Sequence, residues 1–280
     1  MTVLVTGGTG QLGSELIKLL DEKQVEYISV GSKELDIADG KSVYQFITEL
    51  KPEVIYHCAA YTAVDAAEDE GKELNYSVNV KGTENVAKAA ESVGAILVYI
   101  STDYVFDGTN QNEYKETDQT NPQNEYGRAK LAGEKIVKEQ VSKHYIVRTS
   151  WVFGEFGKNF VFTMQRLAET HPKLTVVADQ FGRPTWTRTL AEFVSYLIDI
   201  KAEYGIYHLS NEGSCSWYEF AKEILKDTAI EIAPVTSEEY PQKAIRPKHS
   251  VMDLSKAKST GFEILTWQKA LKSFKEQKGM

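Results

Sequence analysis

The sequence predicts an α/β fold, a doubly wound parallel sheet with a smaller mixed α/β domain beside it. Three observations carry this prediction. Short apolar runs alternate with helical patterns from Val3 to Arg148, the pattern of a parallel sheet covered on both faces. The first of these runs ends in a glycine cluster that opens a helix. After Trp151 the alternation becomes irregular, which marks a second structural unit.

The elements follow in order. Val3-Leu4-Val5 is a buried strand, and Leu12, Leu16, Leu19 and Leu20 come next at helical spacing. Tyr27-Ile28-Ser29-Val30 is the second strand, ended by Gly31. Val43, Phe46, Ile47 and Leu50 mark a helix stopped by Pro52. Val54-Ile55-Tyr56-His57-Cys58 is the third strand, and a helix over 74–93 is closed by Gly94. Ile96 to Ile100 is the fourth strand. A helix over 126–141 precedes the fifth, Tyr145-Ile146-Val147-Arg148. Right-handed crossovers place the C-terminal ends of these strands on one edge. The residues just after them, Gly7-Gly8, Gly31-Ser32, Ala59-Ala60-Tyr61, Ser101-Thr102-Asp103 and Thr149-Ser150-Trp151, should therefore share a crevice. Helices are expected around 160–167, 190–200, 218–225 and 267–274, with a strand at Leu174-Thr175-Val176-Val177. The first domain spans residues 1–160. Residues 161–280 form mainly the second, and part of 174–212 returns to the first domain's sheet, with Ile206 to Leu209 at its edge.

Composition excludes several classes. Of 280 residues, 42% are hydrophobic and 26% charged, enough to bury a core. A net charge of −8 argues against a broad nucleic-acid surface but leaves room for one anionic small molecule. The 2 cysteines, Cys58 and Cys215, exclude a disulfide scaffold and form no Cys-x-x-Cys pair. Cys58 sits in an apolar run and reads as a buried reduced thiol. No apolar stretch approaches the roughly 20 residues of a membrane span, and Met1-Thr2-Val3 enters the first strand without a signal-peptide pattern. A cytoplasmic protein with no membrane partner is expected.

Gly7, Gly10 and Gly13 give the spacing G-x-x-G-x-x-G between the first strand and the first helix. Such a turn brings bare backbone against a pyrophosphate, and the helix N-terminus adds free N–H groups and a favourable dipole. This position defines a Rossmann-type dinucleotide site, with Gly7, Gly10, Gln11 and Leu12 as cofactor contacts. The second strand ends Val30-Gly31-Ser32-Lys33 with no carboxylate for ribose hydroxyls. Ser32 and Lys33 can instead accept a 2′-phosphate, although Lys33 also reads as a plain loop lysine. NADPH is favoured, with NADH as a second option. Asp36 and Ile37 are expected to flank the adenine.

Tyr126-Gly127-Arg128-Ala129-Lys130 places Tyr126 and Lys130 on one helical face. A phenol is a poor acid–base at neutral pH; a nearby ammonium and an oxidised nicotinamide would lower its pKa, and Lys130 can also hold the nicotinamide ribose. Thr102 follows the fourth strand, where its hydroxyl can bond a substrate carbonyl oxygen. The glycines, Thr102 and the Tyr126/Lys130 pair together resemble the extended short-chain dehydrogenase/reductase family. Dehydratases of that family carry Asp-Glu after the threonine; here the pair is Asp103-Tyr104, so dehydration is poorly supported.

Longer strings are more specific. Ser101-Thr102-Asp103-Tyr104-Val105-Phe106-Asp107-Gly108, Ala59-Ala60-Tyr61-Thr62-Ala63-Val64-Asp65, Arg148-Thr149-Ser150-Trp151-Val152, Asp179-Gln180-Phe181-Gly182-Arg183-Pro184-Thr185 and Arg246-Pro247 resemble the dTDP-4-dehydrorhamnose reductase family, over nearly the whole chain. The resemblance implies NADPH- or NADH-dependent reduction of a nucleotide sugar at C4, in the making of dTDP-L-rhamnose for bacterial surface polysaccharide. It makes Tyr126 the proton donor, supported by Lys130 and Thr102. It lines the cofactor with Ala59, Ala60, Tyr61 and Thr62 and the sugar with Val64, Asp103, Tyr104 and Trp151, and it offers Asn159, Arg183 and Arg246 for the nucleotide end. Some members dimerise through magnesium held by glutamates. Glu15 matches one of those, but Trp186-Thr187-Arg188-Thr189 and Thr266-Trp267-Gln268 supply no carboxylate. A monomer or weak homodimer without a bridging metal is therefore expected. Two alternatives stand beside the reductase: another nucleotide-sugar reductase or epimerase, and a non-catalytic NADP-binding regulatory subunit.

Overall fold

A computed structural model describes residues 2–279. The first apolar run becomes β1 (Val3–Thr6), buried at every position as a central parallel strand must be. The first domain continues α1 (Gln11–Glu22), β2 (Tyr27–Val30), α2 (Gly40–Leu50) and β3 (Val54–His57). A helix then runs from Lys72 to Val93 as α3 (Lys72–Tyr76), a π-helical segment (Ser77–Gly82) and α4 (Thr83–Val93). It ends at Gly94 in the left-handed conformation. β4 (Ile96–Thr102), α5 (Glu125–Gln140) and β5 (His144–Thr149) complete the alternation.

Beyond it come β6 (Val152–Phe153), α6 (Phe160–Thr170), β7 (Lys173–Val177), β8 (Phe181–Gly182), β9 (Thr185–Trp186), α7 (Thr187–Asp199) and β10 (Gly205–His208). The chain closes with β11 (Cys215–Ser216), α8 (Trp217–Ile224), β12 (Glu231–Val235), α9 (Ser255–Ser259) and α10 (Trp267–Lys278). The main sheet has six parallel strands in the order β10-β5-β4-β3-β1-β2. The order reverses between β1 and β3, and a crevice opens at such a switch point.

Each face of the sheet carries its own core. Leu12, Leu16, Leu19 and Leu20 of α1 pack with Leu190, Val194 and Leu197 of α7 on one side. Val43, Ile47, Val86, Ala90 and Val137 fill the other, from α2, α4 and α5. A third cluster, with Phe153, Trp186, Phe220, Trp267 and Phe274, holds the smaller unit together. There β7 pairs in parallel with β12, a strand with Pro234 inside it that hydrophobic periodicity did not reveal.

Two buried histidines make the fold sensitive to acid. Burial lowers His57 and His208 from an ordinary 6.5 to about 3. Below 6.5 the unfolded chain takes up protons that these folded imidazoles refuse, so stability is lost as pH falls from 6.5 towards 3. The slope is about 1.4 kcal/mol per pH unit for each histidine. Asp103, raised to about 6, works in the opposite sense below that pH, as do Glu15 and Glu116, which burial raises by less; the two larger histidine shifts set the direction. Urea unfolding at pH 7 and pH 5 should give a lower midpoint at pH 5.

Candidate active site

The site starts at the turn after β1. Gly7 has φ +70°, and a Cβ there would lie 2.5 Å from the Ala59 nitrogen, so the turn closes directly on the loop after β3. Gly10 begins α1 with no side-chain cap, which leaves the helix's first amides without that partner. A cavity of about 250 Å³ is lined by Gly7, Gly10, Ser32, Asp36, Ile37, Ala59, Ala60 and Tyr61. It shares Gly10, Cys58 and Ala60 with a cleft of about 470 Å³ that reaches Gln11, Leu12, Thr62, Val64, Thr102, Asp103, Tyr104, Tyr126, Lys130 and Trp151. The segments after the five strands thus meet at one crevice. Lys33 is exposed and lines neither space.

A buried polar chain fixes the loop after β3. Asn79, in the π-helical segment, accepts from Tyr61 N at 3.1 Å and donates to Tyr61 O at 2.9 Å. Its amide also donates to Asn75 Oδ1, and Thr83 Oγ1 donates to the Asn79 carbonyl. Asn75 in turn donates to the Glu125 carbonyl at the start of α5. Asn75, Asn79 and Thr83 recur every four residues, and that polar stripe on a helix was the available signal for this role.

The helix bearing Tyr126 lies against the turn that follows β4. A Cβ on Gly127 would come within 2.3 Å of the Tyr104 carbonyl oxygen, so only glycine permits this contact between the two reactive segments. Asn124 caps the helix by accepting from Gly127 N at 2.7 Å. Tyr126 meets Tyr104 edge-on, with ring centroids 6.0 Å apart. Lys130 is 2% exposed, and its Nζ stands 4.0 Å from the centre of the Tyr99 ring. Burial lowers its pKa to about 7, with Glu134 opposing.

Thr102 Oγ1 accepts from Tyr104 N at 3.2 Å and donates to Asp103 Oδ1 at 3.0 Å. Ser250 Oγ donates to Asp103 Oδ2 at 2.6 Å. Burial raises Asp103 to about 6 against these hydrogen bonds. The Tyr126 phenol is raised well above its ordinary value, by burial first, then by the Asp103 charge and the neighbouring Tyr104 phenol, with Thr102 opposing. Lys130 alone does not bring the lowering expected from an ammonium together with an oxidised nicotinamide. Desolvation and a neighbouring carboxylate dominate, and the Lys130 ammonium is itself weakened by burial.

Trp151 takes φ +47° and stacks on Trp217 with centroids 3.6 Å apart. Trp217 opens α8 behind a Ser216–Glu219 capping box. A third cavity, about 330 Å³, is lined by Tyr104, Phe160, Gln180, Trp217, Tyr240 and Arg246. Arg246 grips Asp65 through two hydrogen bonds of 2.7 Å. Asn159 and Arg183 line none of these cavities. Asn159 caps α6, accepting from Phe162 N and donating to the Gly154 carbonyl. Arg183 is buried and paired with Glu113.

Two further expectations are refined. Cys58 is half-buried: it packs against the core from the cleft floor, because it lies just past the end of β3, where the sheet meets the crevice. Its thiol is pushed up to about 12 by burial and stays protonated. The end of β2 does have a carboxylate: Glu34 folds back so that its Oε2 accepts from Gly31 N at 2.9 Å. Among the described residues, no group of three or more His, Cys, Asp or Glu is arranged to hold a metal ion. Glu15 is buried, accepts from Thr187 Oγ1 at 3.2 Å and lies 3.9 Å from Arg188, whose guanidinium also binds Glu22 and Glu192.

Residues 1–279 match the family model of the RmlD substrate binding domain. The chain is 41% identical to the spore coat polysaccharide biosynthesis protein SpsK of Bacillus subtilis, over 99% of this chain and 97% of that one. A crystal structure of a dTDP-4-dehydrorhamnose reductase from Clostridium acetobutylicum matches with a TM-score of 0.97 and 45% identity, covering 100% of both chains. The chain belongs to the dTDP-4-dehydrorhamnose reductase family. It is a family of oxidoreductases. The Bacillus anthracis dTDP-4-dehydrorhamnose reductase, with a TM-score of 0.95 and 43% identity over 99% of each chain, was crystallised in complex with NADP. Among the described residues of the present member, no helix is long and apolar enough to cross a membrane.

Proposed function

We propose that this chain reduces the C4 keto group of dTDP-4-dehydro-L-rhamnose to give dTDP-L-rhamnose, using NADPH and accepting NADH as a second donor. The observation that carries the reading is the single cleft in which Gly10, Gln11 and Leu12 face Thr102, Tyr126 and Lys130. The residues present fit a dinucleotide. Gln11 Oε1 and Thr149 Oγ1 are buried without hydrogen-bond partners, and both residues line this cleft; each is a polar group waiting for a ligand. The dinucleotide, when bound, supplies the hydride.

The protein supplies the proton and the positioning. Tyr126 gives its phenolic proton to the oxygen at C4. Burial and the Asp103 charge raise the phenol's pKa, so it enters the reaction carrying its proton and gives it up only to the strongly basic oxygen that forms at C4. The Thr102 hydroxyl turns from Asp103 towards the same oxygen and steadies its charge. Lys130 holds the nicotinamide ribose. Val64, Asp103, Tyr104 and Trp151 border the sugar, and Arg246 serves the nucleotide end, where Phe160, Trp217 and Tyr240 offer apolar surface.

The test is loss of NADPH absorbance on adding dTDP-4-dehydro-L-rhamnose, with the product identified by NMR. One NADPH consumed per dTDP-L-rhamnose formed is the expected result. An enzyme that binds NADPH but leaves this substrate unchanged would move the activity to another nucleotide sugar or to a non-catalytic subunit.

A further inference from the structure

Arg246 carries the charge of the 330 Å³ cavity: among the described residues that line it, no other is charged. Its guanidinium holds five N–H donors in one plane. Nη1 and Nη2 donate to the two Asp65 oxygens at 2.7 Å each, and Nη1 donates again to the Ala244 carbonyl at 2.9 Å. The two N–H groups left, on Nε and Nη2, lie side by side along the other edge of the plane, a second fork of the kind that takes two oxygens of one anion. Asp65 is itself fixed, since its Oδ1 also accepts from Ala244 N at 3.1 Å. Its side chain is 45% exposed, so the ion pair by itself adds little stability. Tyr104, Phe160 and Trp217 line both this cavity and the 470 Å³ cleft, so the two spaces adjoin. The Tyr104 phenol also approaches the guanidinium, which puts Arg246 near their junction.

We infer that Asp65 is a positioning residue: it holds one edge of the Arg246 guanidinium so that the Nε–Nη2 edge meets the diphosphate of the nucleotide sugar. The inference rests on the reductase reading above, which puts the sugar in the cleft and the nucleoside in the cavity. The diphosphate joins those two parts and must cross where the spaces meet. An arginine has two such edges and can serve two anions at once, which the point charge of a lysine cannot. An untethered Arg246 would lose side-chain freedom on binding; with Asp65 on one edge, that freedom is already lost in the fold. Asp65 and the diphosphate are like charges, but the guanidinium stands between them.

The experiment is calorimetry with dTDP and with NADPH on the wild type, Asp65→Asn, Arg246→Lys and the double variant. Asn keeps an acceptor for Ala244 N but turns an N–H group on the guanidinium. Arg246→Lys keeps the charge and an ion partner for Asp65, and removes the second edge. Asp65→Asn should weaken dTDP by about tenfold, the worth of one charged hydrogen bond, with NADPH affinity kept within about twofold. In the Arg246→Lys background the same substitution should change dTDP affinity by less than about twofold. In turnover, Asp65→Asn should raise KM for dTDP-4-dehydro-L-rhamnose and hold kcat within about twofold. Unchanged or tighter dTDP binding in Asp65→Asn, an equal loss in both backgrounds, or a parallel loss of NADPH would overturn the proposal and leave Asp65 as a tie between two loops. A wild type that binds NADPH but not dTDP would remove the proposal together with the reading on which it rests.

Discussion

Tyr126→Phe should lower kcat by about 10²–10⁴-fold, the range that a positioned general acid contributes, and leave NADPH affinity within about twofold. The phenyl ring preserves the edge-on contact with Tyr104 and the packing of α5 on the turn after β4. It lacks only the hydroxyl, which carries the proton and meets Thr102. The prediction is sharper because the phenol is held protonated here, by burial and by the Asp103 charge. The Tyr104 phenol beside it is also held protonated by burial, but it is Tyr126 that lies one helical turn from Lys130 on α5. The Cys58 thiol is also protonated but lies between the two cavities, on the floor shared with the glycine turn. Steady-state turnover and NADPH calorimetry on the same preparation separate the outcomes. Turnover near the wild-type level would remove Tyr126 from the proton-donor role.

Much of this architecture was legible because its signals are local. Alternating apolar runs, Gly7 with Gly10, Pro52 and Gly94 act within a turn or an element, and the order of elements then imposes the sheet and its crevice. The pair Tyr126 and Lys130 was legible for the same reason, since helical spacing puts both on one face. What escaped depends on contacts between distant parts of the chain. Ser250 reaches Asp103 across 147 residues, and Arg246 is tied to Asp65 across 181. No local pattern encodes either contact. Trp217 on Trp151 is a third case. The family likeness offers Arg183 and Asn159 to the nucleotide; within the fold one is paired with Glu113 and the other caps a helix, contacts that no local pattern encodes either. The Glu34 carboxylate lies beyond the residues that end β2 and folds back to Gly31 N, a turn that apolar patterning does not show.

Arg148→Met should destabilise the protein by about 3–5 kcal/mol, the cost of leaving one partner of a buried ion pair alone. The Arg148 and Glu134 side chains are 2% and 5% exposed. Arg148 Nε and Nη2 donate to the two Glu134 oxygens at 2.8 and 2.7 Å, and Ser101 Oγ donates to Oε1 at 2.5 Å. Arg148 Nη1 also reaches His208 Nε2 at 3.3 Å, which a neutral imidazole accepts. Met fills much of the aliphatic volume and supplies no donor, so Glu134 would keep only Ser101. The pair therefore matters more for what its breaking exposes than for any net gain it gives. Arg148→Met combined with Glu134→Leu should be more stable than Arg148→Met alone, a non-additivity that urea unfolding of both variants reads directly. The damage should reach the chemistry as well. Ser101 immediately precedes Thr102, and Glu134 lies one helical turn from Lys130, whose charge it supports. A folded Arg148→Met protein should therefore turn over more slowly than its folded fraction accounts for. A loss of stability below about 1 kcal/mol would place the pair in the range of solvent-screened contacts and remove it as the rigid base beneath Thr102 and Lys130.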